Sequence, residues 1–325
     1  GQLISQTDAK GQTISNEYDL LGRVSQRSDA EGTSTWDYDS GNMGVGKLNQ
    51  VTAADGTLQT HTYDELGRPD RSVSTVKGVA LAQTIRYDTL SRISTMTYPS
   101  GFTTQNIYNA QGYLQQVNNM ADTTVYWKAD AYDARGQMTQ ETLGNGVTTT
   151  RTYNAATGRI TGIASGTATG NIQSLVFAHD TIGNLLLRED LLQNNLETFE
   201  YDSLNRLATT QLNGGPFQAM QYDAIGNITF KSGVGNYLYQ KTGNAGSSAV
   251  TQVTLGTSVT NYTYDKNGNR LSGDGKTLTY TSFNKPAIIV SGTTTNTYGY
   301  DGDRERISKV SVKDGITQTT VYLGK

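Results

Sequence analysis

The chain has 325 residues, of which 35% are hydrophobic even with tyrosine counted; it holds 36 glycines and only 4 prolines. Globular domains usually carry ~45–50% apolar residues, so a thick two-layer core is excluded, and glycine-bearing turns between fully hydrogen-bonded strands are expected. Its 26 basic residues against 29 acidic ones, with neither sign in a run, argue against a nucleic-acid partner, and the lack of cysteine removes disulfides and thiolate metal sites.

The chain opens mid-pattern at GQLISQTDAKGQT, without an initiating Met or a charged-then-apolar leader. It reads as a fragment of a longer parent. No stretch of ~18 apolar residues follows, so no membrane span is expected in residues 1–325.

Residues 18 to 24 read YDLLGRV, with Tyr18 and Asp19 followed by Gly22 and Arg23. The pattern returns at Tyr38, then at Tyr63, Asp64, Gly67 and Arg68, at Tyr87, Asp88 and Arg92, and at Tyr108 and Gly112. It continues at Tyr132, Asp133 and Gly136, at Tyr153, Gly158 and Arg159, and at Asp180 and Gly183 with His179 in the tyrosine place. Further along come Tyr201, Asp202 and Arg206, then Tyr222, Asp223 and Gly226, Tyr264, Asp265 and Gly268, and finally Tyr300 and Asp301. The step is 21 residues from Tyr87 to Tyr108, from Tyr132 to Tyr153 and from Tyr201 to Tyr222. Between Tyr222 and Tyr264 it is 42, two units, with a worn repeat expected around Tyr239.

About halfway between these tyrosines sits a second glycine-bearing punctuation: DAKGQT (8 to 13), DAEGTST (29 to 35), ADGTLQT (54 to 60), PSGFTTQ (99 to 105) and GNGVTTT (144 to 150). Glycine supplies the positive φ of hairpin turns, and Asp or Asn side chains bond the turn backbone. Each unit therefore reads strand, turn, strand, turn. In the unit from Gly136 the strands are expected over QMTQETL and VTTTRTY, close to the usual strand length.

Alternation places Val147, Thr149, Arg151 and Tyr153 on one face, and Phe102, Thr104, Asn106 and Tyr108 on the matching face of another unit. Thr148, Thr150 and Thr152 make the opposite face polar too. Such a sheet suits a thin wall better than a packed sandwich. One hairpin is marginal alone, so the units must gain stability from their neighbours as a single array over 1–325. A rival architecture is a propeller, since two units make about 42 residues, near the length of a blade; against it, every half-block carries the same turn.

The segments YDLLGRV, YDELGRP, YDSLNRL, YDAIGNI and YDKNGNRL resemble the YD repeat of the RHS family, over essentially the whole chain. That family includes bacterial Rhs and wall-associated polymorphic toxins, the B and C components of Tc insecticidal toxins, and teneurins. The resemblance implies an all-β fold of tandem hairpins in a long curved sheet, spiralling as part of a hollow shell that encloses a C-terminal toxin. The closing stretch from YTSFNKPAIIV resembles repeats just before the RHS core, but the DPxGL-type segment of that core is absent. Core, self-cleaving site and toxin are therefore expected to lie outside these residues, and no enzymatic activity is expected from them.

Candidate chemistry is outweighed by simpler readings. The turn aspartates, including Asp19, Asp64, Asp88, Asp133, Asp202, Asp223, Asp265 and Asp301, fall one per unit, whereas a retaining glycosidase pair lies ~5 Å apart. DKNGNR (265 to 270) fails as an EF-hand, because its sixth residue is Arg270 and its twelfth Lys276. His61 and His179 are the only histidines, too few for a multi-His zinc site or a relay of convergent histidines. Arg23, Arg68, Arg92, Arg159, Arg206 and Arg270 follow the turns, but Gln137, Asn184 and Asn227 interrupt the series, which favours local turn bonding over a cationic track. No catalytic, metal or cofactor site is expected.

Two functions follow. The first is a secreted or cell-surface shell segment whose partners are the enclosed toxin and other shell segments. The second is a cell-surface adhesin that stacks glycans on Trp36, Tyr38, Tyr126 and Trp127.

Overall fold

The computed structural model describes residues 1–240 and 243–323. Among them are 31 strands and no helix, and hence no helix long and apolar enough to cross a membrane. The chain divides into two compact units: residues 1–85 with 237–325, and residues 86–236. The strands Val79–Tyr87 and Gly235–Leu238 run across the two divisions.

In the first unit, Ser5–Thr7 pairs antiparallel with Thr13–Tyr18, and the pairing proceeds strand by strand to Val79–Tyr87. The same unit contains a hairpin of Gln252–Leu255 with Ser258–Asn261 and a seven-stranded antiparallel sheet from Thr263–Tyr264 to Ile316–Val321. In the second unit, antiparallel pairing runs from Ile93–Thr97 to Gly235–Leu238. The expected pair around Gly136 is Met138–Leu143 with Thr148–Tyr153, so each end falls within one residue of the alternation pattern. The worn repeat expected around Tyr239 falls where the chain leaves Gly235–Leu238; residues 241 and 242 of that stretch lie outside the described residues.

Most tyrosine turns are built alike, though the turn after Tyr153 is one residue longer and that after Tyr38 runs to Lys47. Gly22 N–H donates to the Asp19 carbonyl (3.0 Å) and Asp19 N–H to the Arg23 carbonyl (2.9 Å), a tight turn closed by a left-handed residue. The ladder shifts register as it enters the tyrosine, at Glu17/Tyr18, Thr62/Tyr63, Glu200/Tyr201 and Gln221/Tyr222 among others. This bulge is invisible to simple alternation, which counts residues in twos. Where glycine is missing the conformation persists, with φ of 63° at Ser91 and 60° at Asn205.

The sheets are thin. The chain exposes 19087 Å², whereas a compact chain of this length exposes roughly 13,000 Å². Only Trp36, Val51, Ala53, Val76, Ala129, Ala245 and Ile307 form the buried apolar set among the described residues. Most strand residues are half-buried on both faces, as the two-sided polarity requires.

At Gly226, φ is 93° and a Cβ would meet nothing within 4 Å. Gly226→Ala therefore costs about 1 kcal/mol through backbone conformation alone, and Gly226→Asn costs clearly less, because asparagine tolerates this region. Urea unfolding midpoints read the difference; equal losses would contradict this account of the turn.

A ladder of turns and a long-range seam as candidate functional site

The aspartate after each tyrosine organises its own turn. Asp202 Oδ1 accepts from Leu204 N–H (2.9 Å) and Arg206 N–H (3.0 Å), while Oδ2 accepts from Arg206 Nε (2.7 Å). Asp19 with Arg23, Asp64 with Arg68 and Asp88 with Arg92 repeat the arrangement. In the turns of Asp180, Asp223 and Asp265, asparagine takes the arginine place and its Nδ2 donates to the same oxygen at 2.8–3.0 Å. The Asp133 and Asp301 carboxylates likewise accept two turn amides each. The carboxylate of the DKNGNR loop is thus occupied by its own turn, and no group of three or more His, Asp or Glu among the described residues could hold a metal ion.

The tyrosine and the basic residue tie one turn to the next. Tyr63 Oη donates to the Leu48 carbonyl (2.6 Å), Tyr108 to Ile93 (2.8 Å), Tyr201 to Leu185 (2.9 Å) and Tyr222 to Leu207 (2.8 Å), each reaching the start of the strand after the preceding turn. Tyr18, Tyr153, Tyr264 and Tyr300 make the equivalent bond. The guanidinium of Arg23 lies over the Tyr38 ring (4.3 Å), that of Arg92 over Tyr108 (4.2 Å) and that of Arg206 over Tyr222 (4.5 Å). Arg23 also pairs with Asp39, Arg159 donates to the Asp180 carbonyl (2.7 Å) and Arg206 to the Asp223 carbonyl (3.1 Å). The sequence pointed to bonding within the turn; the reach from turn to turn was not legible, because it depends on which turns become neighbours.

His179 ends the strand Gly170–His179 in the tyrosine place. Tyr132 is 44% exposed, and Tyr87 ends Val79–Tyr87. Missed in the sequence was the turn at YTSFNK: Tyr280 Oη donates to the Arg270 carbonyl (3.0 Å), and Thr281 Oγ1, in place of an aspartate oxygen, accepts from Lys285 N–H (3.1 Å). The tyrosine before a tight turn was its signal.

Within the first unit, tyrosine turns near the end of the chain pack against midpoint turns near its beginning. Asn267 Nδ2 donates to Asp8 Oδ2 (2.5 Å), and Lys10 pairs with Asp265 (3.4 Å). Ser282 N–H and Oγ both donate to the Glu31 carboxylate, Arg27 donates to the Gly302 carbonyl, Arg304 pairs with Asp29 (3.5 Å) and Gln59 Nε2 donates to Asp301 (3.3 Å). Gly302 lies over Val51 and Trp36, where a Cβ would overlap Val51 Cγ1. Trp36 is only 9% exposed, with the Arg27 guanidinium 4.9 Å from its ring. Trp127 donates its indole N–H to Glu141 (2.7 Å). A cleft of about 150 Å³ in the seam is lined by Ala53, Ala54, Asp55, Phe283, Tyr300 and Arg304 among others.

Electrostatics separate ladder from seam. The backbone N–H of Arg206 and then its side chain hold Asp202 below the usual carboxylate range, and the Arg23 side chain first of all lowers Asp39 to about 2. In the seam, desolvation raises Asp301 and Asp29, and it lowers His61, which lines an open recess with Gln59, Asp303 and Arg306. A carboxylate with a lowered pKa stabilises the fold above its unfolded value, and that contribution is lost as pH falls through its folded value. The ladder therefore weakens as pH falls below the usual carboxylate range, and at Asp39 the loss is complete only below about 2. A raised carboxylate has the opposite sign: its favourable contribution is present below the unfolded value and lost as pH rises. Asp202→Asn should lower the unfolding temperature at pH 7 and flatten its fall in acid, whereas Asp301→Asn should raise it at pH 7. Thermal melts across pH check both; a drop for Asp301→Asn as large as that for Asp202→Asn would contradict the distinction.

Comparison with known proteins agrees with this geometry. The RHS Repeat family description matches residues 1–34. Double-stranded DNA deaminase toxin A of Burkholderia cenocepacia is 25% identical over 219 residues, covering 65% of this chain and 14% of that protein. Toxin subunit YenC1 of Yersinia entomophaga is 28% identical over 192 residues, covering 51% and 18%. Among solved structures, a crystal structure of TcdB2-TccC3-TEV superposes with a TM-score of 0.67 at 15% identity over 96% of this chain and 20% of that one. A Photorhabdus luminescens Tc holotoxin pore gives 0.63 at 15% identity over 98% and 20%. The chain thus spans about a fifth or less of each of these proteins. With its repeated YD turns and the hairpin array they join, the chain is similar in sequence to RHS-repeat toxin proteins and shares the fold of the Tc toxin structures, the family match itself being confined to residues 1–34.

Proposed function

We propose that residues 1–325 are one array of YD repeats from the wall of a larger exported toxin, a shell that encloses a C-terminal toxin domain and delivers it. The observation that carries this reading is the turn ladder on a thin sheet with two half-wetted faces. Repeated Asp, Tyr and Arg contacts stiffen a surface that has no deep core, which suits a wall and leaves no side-chain set arranged for chemistry. The toxin relatives and toxin-assembly structures support it. The partners on this reading are the cargo domain of the same polypeptide and other wall segments, the wall itself supplies no catalysis, and the setting is secreted or cell-surface. For the glycan-binding alternative, Trp36 is covered by Arg27 and Gly302 and offers no open face to a sugar, whereas Tyr126 is 43% exposed.

Deleting these repeats from the natural polypeptide should expose its cargo domain to protease while leaving its other segments intact. Limited proteolysis with mass spectrometry reads the result. A cargo that stays protected without these repeats would overturn the proposal.

A further inference from the structure

Two guanidinium groups in the seam of the first unit keep a donor that the protein does not use. Arg27 lies over the Trp36 ring (4.9 Å) and donates to the Gly302 carbonyl, while Arg304 lies over the Phe283 ring (4.8 Å) and reaches Asp29 (3.5 Å). The Nε atoms of both are buried and meet no acceptor among the described residues. Both side chains line the same cleft of about 150 Å³, between the midpoint turns at Asp29 and Asp55 and the tyrosine turns at Thr281 and Asp301. They are near enough that the Arg304 charge, second only to burial, pushes the Arg27 guanidinium below its ordinary value. A buried N–H without an acceptor is costly, and two of them in one cleft point to an acceptor group from outside the chain.

The carboxyl groups that line the cleft fix what else such a molecule must carry. Asp29, Glu31, Asp55 and Asp301 stand against the two guanidinium groups, so a bare anion would meet net repulsion. Three of the four are committed: Asp29 accepts from Glu31 N–H (3.1 Å), Glu31 from Ser282, and Asp301 from the Asp303 and Glu305 amides and from Gln59. Asp55 differs. Its Oδ1 accepts from Thr57 N–H (2.9 Å), but its Oδ2, 3.6 Å from where a Gly299 Cβ would stand, has no donor among the described residues. Two unused donors and one unused carboxylate oxygen in a single small cleft match a molecule with a carboxylate at one end and an ammonium at the other. Ala53, Phe283 and Tyr298 leave an apolar wall for a short stem between them. The volume admits about six heavy atoms, since benzene fills an engineered cavity of that size in another protein.

We propose that this cleft binds a small zwitterionic amino acid of the size of glycine, alanine or serine, its carboxylate on Arg27 Nε and Arg304 Nε and its ammonium on Asp55 Oδ2. The occupant bridges the turns of the seam and so holds them together. The site stands apart from the shell reading and does not depend on it. Isothermal titration calorimetry on the natural polypeptide that carries these residues tests it, with glycine, L-alanine and L-serine as ligands, acetate and methylammonium as half-ligands, and L-glutamate as the acidic control. The three amino acids should bind at one site per chain, and the half-ligands and glutamate at least about tenfold more weakly. Asp55→Asn keeps the oxygen that Thr57 N–H uses and removes the charge, so it should weaken binding about tenfold, while Asp314→Asn, in an exposed turn, should change nothing. Three results would overturn the site: acetate, methylammonium or glutamate binding as tightly as the amino acids, binding indifferent to Asp55→Asn, or no heat at millimolar ligand, which leaves the cleft to water alone.

Discussion

A single aspartate carboxylate, accepting two backbone amides of its own turn and one side-chain N–H four residues on, is the contact on which the rest of this molecule depends. It converts seven residues of sequence into a rigid reversal of fixed hand. Because its second oxygen holds the arginine or asparagine, it also aims that residue at the next turn. Local chemistry therefore sets the spacing of the array before any core has formed.

This matters because little core exists. With so few buried apolar residues among those described, burial in any one hairpin cannot offset its conformational entropy, and each unit relies on its neighbours. The tyrosine hydroxyls and stacked guanidinium groups supply that dependence in discrete steps. A net ~1 kcal/mol per hydroxyl bond is modest, but it recurs in nearly every repeat. The seam of the first unit follows other rules: its polar groups are partly desolvated, Arg27 Nε and Arg304 Nε are buried without a hydrogen-bond partner, and Asp301 and Asp29 are shifted upward. It fixes position at some cost in stability, as partly buried ionic contacts often do.

The strand and turn pattern was legible because it is local. Tyr63, Asp64, Gly67 and Arg68 state the turn outright, and the alternation in VTTTRTY states the strand. The bulge before each tyrosine was not legible, since period-two reasoning has no term for an extra residue. Thr281 escaped because a hydroxyl replaces the carboxylate that marks the other turns. The seam was illegible for a stronger reason: Ser282 and Glu31 are 251 residues apart, and nothing in either segment names the other. Trp36, which looked like an open sugar platform, proved to be covered by that seam.

The central claim is that stability passes between neighbouring repeats through the tyrosine and arginine contacts. Hydrogen exchange followed by mass spectrometry on Tyr222→Phe tests it most directly. That variant removes the hydroxyl that bonds the Leu207 carbonyl and touches Met220 Sδ, and leaves the ring in place. The account predicts faster exchange confined to the turn at residues 202–206 and the strands Leu207–Leu212 and Gln218–Tyr222, with the distant strands of the same unit unchanged. Faster exchange spread evenly over the whole chain, or no change at all, would contradict it.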